Sequence, residues 1–201
     1  MPALLTKEKL WTAEEYLDFE READDRHEFL DGYIFKMAGE SLSHSRICVN
    51  ISREVSSRLL GKPCEALSSN MKVRTSTASL FSYPDLTIVC GEPQFHDTKK
   101  DVVINPRVIF EVLSPSTEKY DRGVKFSRYR MGNNSLTDYV LIAQETSLIE
   151  HYHRESDGRW LYISYNYLTD IFRLKELEIE IPLDIIYDRV EIQPQTKEED
   201  E

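Results

Sequence analysis

Two acidic side chains lie in or beside strongly apolar segments, and their types and placement could support metal-assisted chemistry. Asp85 precedes the apolar run 86–90, and Glu111 lies inside the apolar run 108–113. Short apolar runs that are rich in β-branched residues are typical of buried strands. A carboxylate in such a strand is costly unless it is paired, hydrogen-bonded or bound to a cation. Two carboxylates on strands that could be neighbours therefore indicate a divalent metal site, and Mg²⁺ is the first choice because it prefers oxygen ligands.

The order Pro84-Asp85, then Glu111, then a lysine resembles the PD-(D/E)XK nuclease superfamily, which has the restriction-endonuclease-like fold. The usual Glu-x-Lys arrangement of that superfamily would place its lysine at position 113, where this chain has Leu113. A narrower resemblance, to the Uma-type restriction endonuclease family, suggests that the lysine has moved to the following helix as Lys125.

The narrower resemblance rests on a longer pattern and covers most of the chain, from about residue 12 to about residue 190. The pattern consists of residues 111–117 (Glu-Val-Leu-Ser-Pro-Ser-Thr), Asp121, Lys125 and Tyr129. It implies an α/β (α+β) chain with the restriction-endonuclease-like fold, in which a central mixed β-sheet is flanked by helices.

The resemblance also implies an activity, the hydrolysis of phosphodiester bonds in DNA. Asp85 and Glu111 would hold Mg²⁺, with Mn²⁺ as a substitute, and the backbone carbonyl of Val112 would supply a further oxygen. Lys125 would position the attacking water or offset negative charge in the transition state. A lysine acts as a base only when desolvation lowers its pKa, so the electrostatic role comes first.

Two further residues are candidate accessory catalytic groups. His44 lies in the first turn of a predicted helix, and in the related family a histidine opens this helix near the active site. Glu28 lies on the first strand of a predicted hairpin. The alternatives are a structural histidine and a solvated glutamate. Asp121 and Lys125, at i, i+4 spacing, have the similar alternative of a simple ion pair.

The net charge of −11 opposes a general nucleic-acid binder held by phosphate contacts. Arg122, Arg128 and Arg130 nevertheless give the predicted helix 120–131 the best candidate face for phosphate. The main alternative to the nuclease is a non-catalytic DNA-binding or protein-interaction module that keeps the nuclease fold. Because cutting both DNA strands usually calls for two active sites, a homodimer is expected.

The elements that must position these residues follow from local patterns. The predicted helices are 13–22, 43–60 and 120–131; the predicted strands besides those of Asp85 and Glu111 are 64–68, 71–75, 139–143, 149–153 and 160–165. Thr12 and Glu15 form a capping-box pattern, Asp31-Gly32 is a hairpin turn, and Ser43 is the expected N-cap of the second helix. The last three strands predict an antiparallel extension of the sheet.

The chain length of 201 residues predicts one domain, over residues 1–192, followed by an acidic and disordered tail over 193–201. No apolar run approaches the roughly 18 residues of a membrane span, and the amino terminus is too short and charged for a secretory signal. Cys48, Cys64 and Cys90 are predicted to be free thiols in a reducing cytoplasm.

His151 and His153 would share one face of the predicted strand 149–153. This spacing is compatible with metal binding, but the sequence suggests no third ligand.

Overall fold

The computed structural model describes residues 9–77 and 79–193 together with the backbone of Ala3–Leu4, and strands are its most frequent regular element. The strands are β1 (Ala3–Leu4), β2 (His27–Leu30), β3 (Tyr33–Lys36), β4 (Cys64–Ser68), β5 (Lys72–Arg74), β6 (Leu80–Ser82), β7 (Leu86–Cys90), β8 (Val102–Val103), β9 (Val108–Leu113), β10 (Asp138–Ala143), β11 (Ile149–Arg154), β12 (Trp160–Tyr165), β13 (Ile171–Leu174) and β14 (Ile179–Pro182). The helices are α1 (Ala13–Glu20), α2 (Leu42–Leu59), α3 (Glu118–Tyr120), α4 (Phe126–Gly132) and α5 (Leu183–Ile186). A π-helical segment, Asp121–Lys125, joins α3 to α4.

The strands form two six-stranded sheets and one two-stranded sheet. The first sheet has the order β1-β3-β2-β6-β5-β8, the second has the order β12-β11-β10-β9-β7-β4, and β13 pairs with β14. In the second sheet β9 and β10 are parallel and their other neighbours are antiparallel. The predicted mixed sheet with an antiparallel extension through β10, β11 and β12 is therefore confirmed.

The hairpin β2–β3 belongs to a different sheet from the strand that carries Glu111, and the sequence did not reveal this division. Strand β6 ends at Ser82 in the first sheet, and β7 begins at Leu86 in the second. The three residues 83–85 thus carry the chain from one sheet to the other. Asp85 is the last of them.

The second sheet is covered on both faces by apolar side chains, as a near-continuous hydrophobic strand requires. On one face, α2 packs on alternate residues of β7, β9 and β10. On the opposite face, α4 supplies Phe126 and Tyr129, which pack against Ile109, Tyr139 and Leu141. Glu111 alternates with Ile109 and Leu113 along β9, so its side chain lies on this second face. The helical segment that carries Lys125 lies on the same face.

The local signals at the helix and hairpin ends are mostly confirmed. Thr12 and Glu15 form both hydrogen bonds of the capping box. Asp31 and Gly32 both have positive φ, 49° and 90°, as a type I′ turn requires. The prediction of Ser43 as the N-cap of α2 was wrong, because the helix begins earlier and Ser41 accepts the hydrogen bond from the His44 backbone N–H.

The prediction of three free thiols was wrong for two of the cysteines. Cys64 and Cys90 form a disulfide, and Cys48 is free. The reason is the register of β4 against β7, which places Cys64 directly opposite Cys90. Strand register is a non-local property, so a separation of 26 residues gave no local sign of the pairing.

The structure bears on only some of the predictions about domain bounds, membrane spans and location. Within the ranges described above, no helix is long and apolar enough to cross a bilayer. The single domain over residues 1–192 and the cytoplasmic location remain predictions. Residues 194–201 of the predicted tail lie outside the described residues, while the Gln193 backbone N–H donates to the Glu145 carbonyl at 2.8 Å.

Candidate active site at the junction of the two sheets

Asp85 lies opposite Glu111 on the same face of the second sheet. Leu86 pairs with Phe110 in the antiparallel register of β7 and β9, and one further step brings position 85 opposite position 111. Asp85 Oδ2 also accepts a hydrogen bond from the Val112 backbone N–H at 2.6 Å. The two acids of the apolar runs therefore meet where the chain passes between the sheets.

The ammonium group of Lys125 lies among three carboxylates at this junction. Its Nζ is 2.9 Å from Glu111 Oε1, 3.0 Å from Glu28 Oε1 and 3.6 Å from Asp121 Oδ1. All four side chains are at most 7% exposed. Because Glu28 comes from the first sheet and Glu111 from the second, the ion pairs of Lys125 link the two sheets.

Asp121 and Lys125 are the first and last residues of the π-helical segment, and both face the same cluster. Both residues that point into the site therefore belong to the wider turn. Single π-helical turns inside α-helices are frequent at functional sites. The predicted Asp121–Lys125 ion pair exists, but it is one contact of a larger group rather than an isolated surface pair.

Burial and charge shift the pKa values of the cluster in defined directions. Burial raises the pKa of Glu111 well above its usual range, and the charges of Asp121, Asp85 and Glu28 add to this against the opposing effect of Lys125. Burial would lower the pKa of Lys125, but the carboxylates of Glu111, Glu28 and Asp121 outweigh it and raise that pKa. The lysine is therefore held as an ammonium ion in the metal-free protein.

His44 approaches Asp85 from α2. Its Nε2 lies 3.5 Å from Asp85 Oδ2, while its Nδ1 lies 3.0 Å from Glu40 Oε2 and 3.4 Å from Cys48 Sγ. Burial lowers the pKa of His44, and the carboxylates of Asp85 and Glu40 outweigh it, so the net shift is upward. The structure thus brings His44 to the candidate site, as it does Glu28.

The donor set fits a hard divalent cation such as Mg²⁺. Three carboxylates, from Glu28, Glu111 and Asp121, contact the Lys125 ammonium, and Asp85 lies opposite Glu111, so the acidic groups of the cluster outnumber its one ammonium. No donor among the described residues meets Glu111 Oε1 with hydrogen-bond geometry, although the ammonium is 2.9 Å away. Carboxylate oxygens are the ligands that Mg²⁺ prefers.

Access and a further oxygen are consistent with the same conclusion. The Asp85 side chain is 17% exposed, so the cluster opens to solvent on its side. The N–H and C=O groups of one strand residue point to the same neighbouring strand. The Val112 N–H donates to Asp85, so the Val112 carbonyl also points to the side of β9 on which β7 lies. Val112 is two positions beyond Phe110, the last residue of β9 that pairs with β7.

Two residues near the site were not singled out for it from the sequence. Asp121 belonged to the family pattern but was given no catalytic role, yet it is 4% exposed and faces Lys125. Cys48 was treated as a core thiol, yet burial together with the charges of Asp85, Glu40 and Glu111 raises its pKa. The i, i+4 spacing of Asp121 and Lys125 was the available signal for Asp121.

The arginines of the helix between residues 118 and 132 are less available than the sequence suggested. Arg122 pairs with Glu150 and Glu118, each at 2.7 Å, and Arg128 pairs with Asp31. The Arg130 guanidinium lies over the Phe126 ring, 5.7 Å from its centroid. Much of the positive charge on this candidate phosphate face is therefore neutralised within the chain.

Comparisons with known proteins identify the fold and the family. A crystal structure of "a putative nuclease belonging to DUF820" from Anabaena variabilis superimposes with a TM-score of 0.73 at 12% identity, covering 88% of this chain and 97% of that one. The fold is the restriction-endonuclease-like fold. The model of the Uma2 family, described as "Putative restriction endonuclease", matches residues 13–185. The chain belongs to this family.

Two proteins of Synechocystis sp. are similar in sequence. One, described as "Uncharacterized protein slr1290", is 36% identical over 174 residues, which are 87% of this chain and 90% of that protein. The other, "Uncharacterized protein sll1609", is 36% identical over 153 residues, which are 76% of this chain and 86% of that protein.

Proposed function

We propose that this chain is a divalent-metal-dependent endonuclease that hydrolyses phosphodiester bonds in DNA. The observation that carries the proposal is the convergence of Asp85, Glu111 and Lys125, with Glu28 and Asp121, in one buried and acid-rich cluster that opens at Asp85. Membership of the family described as "Putative restriction endonuclease" supports the same reaction class.

In this proposal Asp85, Glu111 and the Val112 carbonyl hold Mg²⁺ or Mn²⁺. The bound ion supplies Lewis-acid stabilisation of phosphate charge and makes a nearby water more acidic. Lys125 supplies a fixed positive charge next to the negative charge that develops on the reacting phosphate. Because its contacts with Glu111 and Glu28 hold the ammonium in place, Lys125 acts through electrostatics and positioning rather than as a base.

The accessory groups act through these residues. Glu28 accepts from the Tyr83 backbone N–H at 3.3 Å and contacts Lys125, so it orients the lysine and the segment that carries Asp85. His44 contacts Asp85 Oδ2 and orients that carboxylate. Both roles concern the geometry of the site more than the chemical step.

The alternative is a nuclease-fold module that binds DNA or protein without turnover. The ion pairs of Arg122 and Arg128 favour the protein-binding form of this alternative, because they leave less positive charge for a DNA backbone. Endonuclease activity on double-stranded DNA would also fit a homodimer with two active sites. The mass of the protein in solution tests that part separately from the chemistry.

The deciding experiment is plasmid cleavage with Mg²⁺ and with Mn²⁺, using the full chain and the variants Asp85→Asn, Glu111→Gln and Lys125→Met. We expect nicked or linear DNA with the wild type and loss of cleavage with each variant. The matched control is Glu54→Gln, which removes an α2 carboxylate that is paired with Arg58 and Arg53 and has no recorded contact with the cluster.

Equal cleavage by the wild type and all three site variants would contradict the assignment, because it would indicate another site or a contaminant. A complementary measurement is the thermal midpoint in millimolar Mg²⁺ or Mn²⁺, since a ligand stabilises the state that binds it. A metal-dependent increase that is lost in Asp85→Asn supports the metal site. No cleavage and no increase would favour the non-catalytic module.

A further inference from the structure

A second cluster of metal-ligand side chains lies on the opposite face of the second sheet from the candidate active site. His151 Nε2 is 2.7 Å from Asp138 Oδ1, and His153 Nδ1 is 2.8 Å from the same oxygen. The three ligand atoms all lie within 4.8 Å of one another. Asp138 and His151 are buried, and the His153 side chain is 23% exposed, so one side of the cluster reaches solvent.

Strand register creates this cluster. Asp138, the first residue of β10, pairs directly with His153 of β11, and Val140 pairs with His151. Asp138 and the two histidines therefore share one face of the sheet, the face on which α2 packs. Glu111 pairs with Leu141 and has the opposite parity, so the two clusters lie on opposite faces.

We propose that Asp138, His151 and His153 form a transition-metal site, with Zn²⁺ as the best-fitting ion. Two imidazole nitrogens and one carboxylate oxygen are a typical three-ligand set for zinc, which leaves the fourth position to solvent. The exposed side of His153 provides that opening. This site is independent of the proposed nuclease activity.

The distances are compatible with binding after small movements. Zinc bonds to nitrogen and oxygen are about 2.0–2.2 Å long, so neighbouring ligand atoms in a tetrahedron are roughly 3.3 Å apart. The nitrogen–oxygen contacts of 2.7 and 2.8 Å must widen slightly, and the two nitrogens must lie within this same spacing. Side-chain adjustments without a backbone change are sufficient, because both histidines already direct a ring nitrogen at the carboxylate and the three ligand atoms lie within 4.8 Å of one another.

Neighbouring groups hold two of the ligands in place. The Thr137 hydroxyl donates to Asp138 Oδ2 at 2.7 Å, which leaves Oδ1 facing the histidines. The Phe172 ring packs against the His151 ring with centroids 5.5 Å apart. Such partners fix ligand orientation and strengthen metal binding.

One missing partner sets the expected strength of the site. His151 Nδ1 is buried and has no hydrogen-bond acceptor among the described residues. Zinc-bound histidines usually donate their second N–H to a carboxylate or carbonyl, and loss of that partner costs roughly 10- to 100-fold in affinity. We therefore expect binding that a chelator reverses easily, rather than a permanently loaded structural zinc.

The competing explanation is a hydrogen-bonded Asp–His–His group that never binds metal. A titration of the chelator-treated full chain with Co²⁺, followed by displacement with Zn²⁺, distinguishes the two. Co²⁺ in a tetrahedral site of this kind gives visible absorption bands, so the readout does not depend on nuclease activity. We expect the tetrahedral bands to saturate at one Co²⁺ per chain, to disappear on addition of Zn²⁺, and to require at least about tenfold more Co²⁺ in His153→Gln.

The chain offers a matched control at its other group of close ligand atoms, Glu40, His44 and Cys48. Cys48→Ser should leave the tetrahedral Co²⁺ bands and their titration unchanged. Asp138→Asn, which keeps the side-chain shape, should weaken binding as His153→Gln does; if Asp138→Asn fails to fold, the partly exposed His153 variant decides alone.

Three results would overturn the proposal. Absence of tetrahedral Co²⁺ bands in the wild type would leave only a hydrogen-bonded group. Equal titrations of the wild type and His153→Gln would mean that the metal binds elsewhere. A thiolate absorption band that disappears in Cys48→Ser would assign the metal to the cluster that contains Cys48.

Discussion

The Lys125 ammonium lies 2.9 Å from Glu111 Oε1, and both side chains are at most 6% exposed. The same ammonium contacts Glu28 and Asp121, so one cation serves three acids. Removal of Lys125 would therefore leave three carboxylates without this cation, whereas removal of Glu111 would leave the lysine with two carboxylates.

The first prediction follows from that inequality. Lys125→Met should destabilise the metal-free protein by about 3–5 kcal/mol, because it leaves buried carboxylates without their cation. Glu111→Gln should cost far less, since the lysine keeps Glu28 and Asp121 and one like charge is removed. Urea unfolding in the presence of a chelator measures both free energies. Equal losses in the two variants would mean that Lys125 is not the shared partner.

A second prediction concerns the contact between α4 and the start of the loop after β5. A Cβ placed on Gly132 would lie 2.6 Å from Thr75 Cβ, which is too close for any side chain without a backbone shift. Gly132→Ala should therefore lower the free energy of unfolding by about 1–3 kcal/mol. Gly123→Ala is the matched control, since nothing lies within 4 Å of its added Cβ. It should be neutral or stabilising, by up to about 1 kcal/mol.

A third prediction concerns acid stability. The Arg21 guanidinium donates to Asp101 at 2.7 and 3.0 Å and holds the pKa of that carboxyl well below its usual range. A folded-state pKa below the unfolded value gives stability that is present above the unfolded pKa and is lost as pH falls. Asp101→Asn should therefore be destabilising at pH 7, and its difference from the wild type should shrink below about pH 4.

The control for this acid effect is Asp157→Asn, whose partner Arg159 is 84% exposed. Exposed pairs contribute little, so its unfolding curve should match the wild type at both pH values. A pH-independent difference for Asp101→Asn would show that packing, rather than ionisation, causes the loss.

A fourth prediction concerns the cysteines. In denaturant without reductant, one thiol per chain should react with a thiol reagent, since only Cys48 of the three is unpaired. Reduction should lower the free energy of unfolding by about 3–4 kcal/mol, because the bond closes a loop of 26 residues. Cys64→Ser should reproduce that loss, and reductant should then have little further effect. Three reactive thiols in the untreated protein would contradict the pairing.

Local sequence signals were sufficient where a few neighbouring residues determine the structure. The capping box at Thr12 and the turn at Asp31-Gly32 depend only on local backbone geometry, and both occur as predicted. The N-cap of α2 was misplaced by two residues because Ser41 and Ser43 are equally good caps, and the choice depends on where the first turn begins.

Long-range features were accessible only where a resemblance supplied them. The approach of Lys125 to Glu111 came from the family pattern, since nothing local brings a helix residue to a strand 14 positions earlier. The disulfide was missed because it depends on strand register. Asp138 was missed as a partner for the two histidines. The predicted strand followed the apolar run and so began at Tyr139, whereas β10 begins one residue earlier, at Asp138.

Three residues connect β6 to β7. The length of this connection helps to determine how far the Asp85 carboxylate lies from the other acids of the site. Glu28 and Glu111 are fixed by separate hydrogen-bonded ladders, and Asp85 is set by how much backbone spans the gap. One inserted residue would add about 3.3 Å of path there. Both sheets could still form, but the carboxylate would miss its partners, so this short span should tolerate substitution far better than insertion.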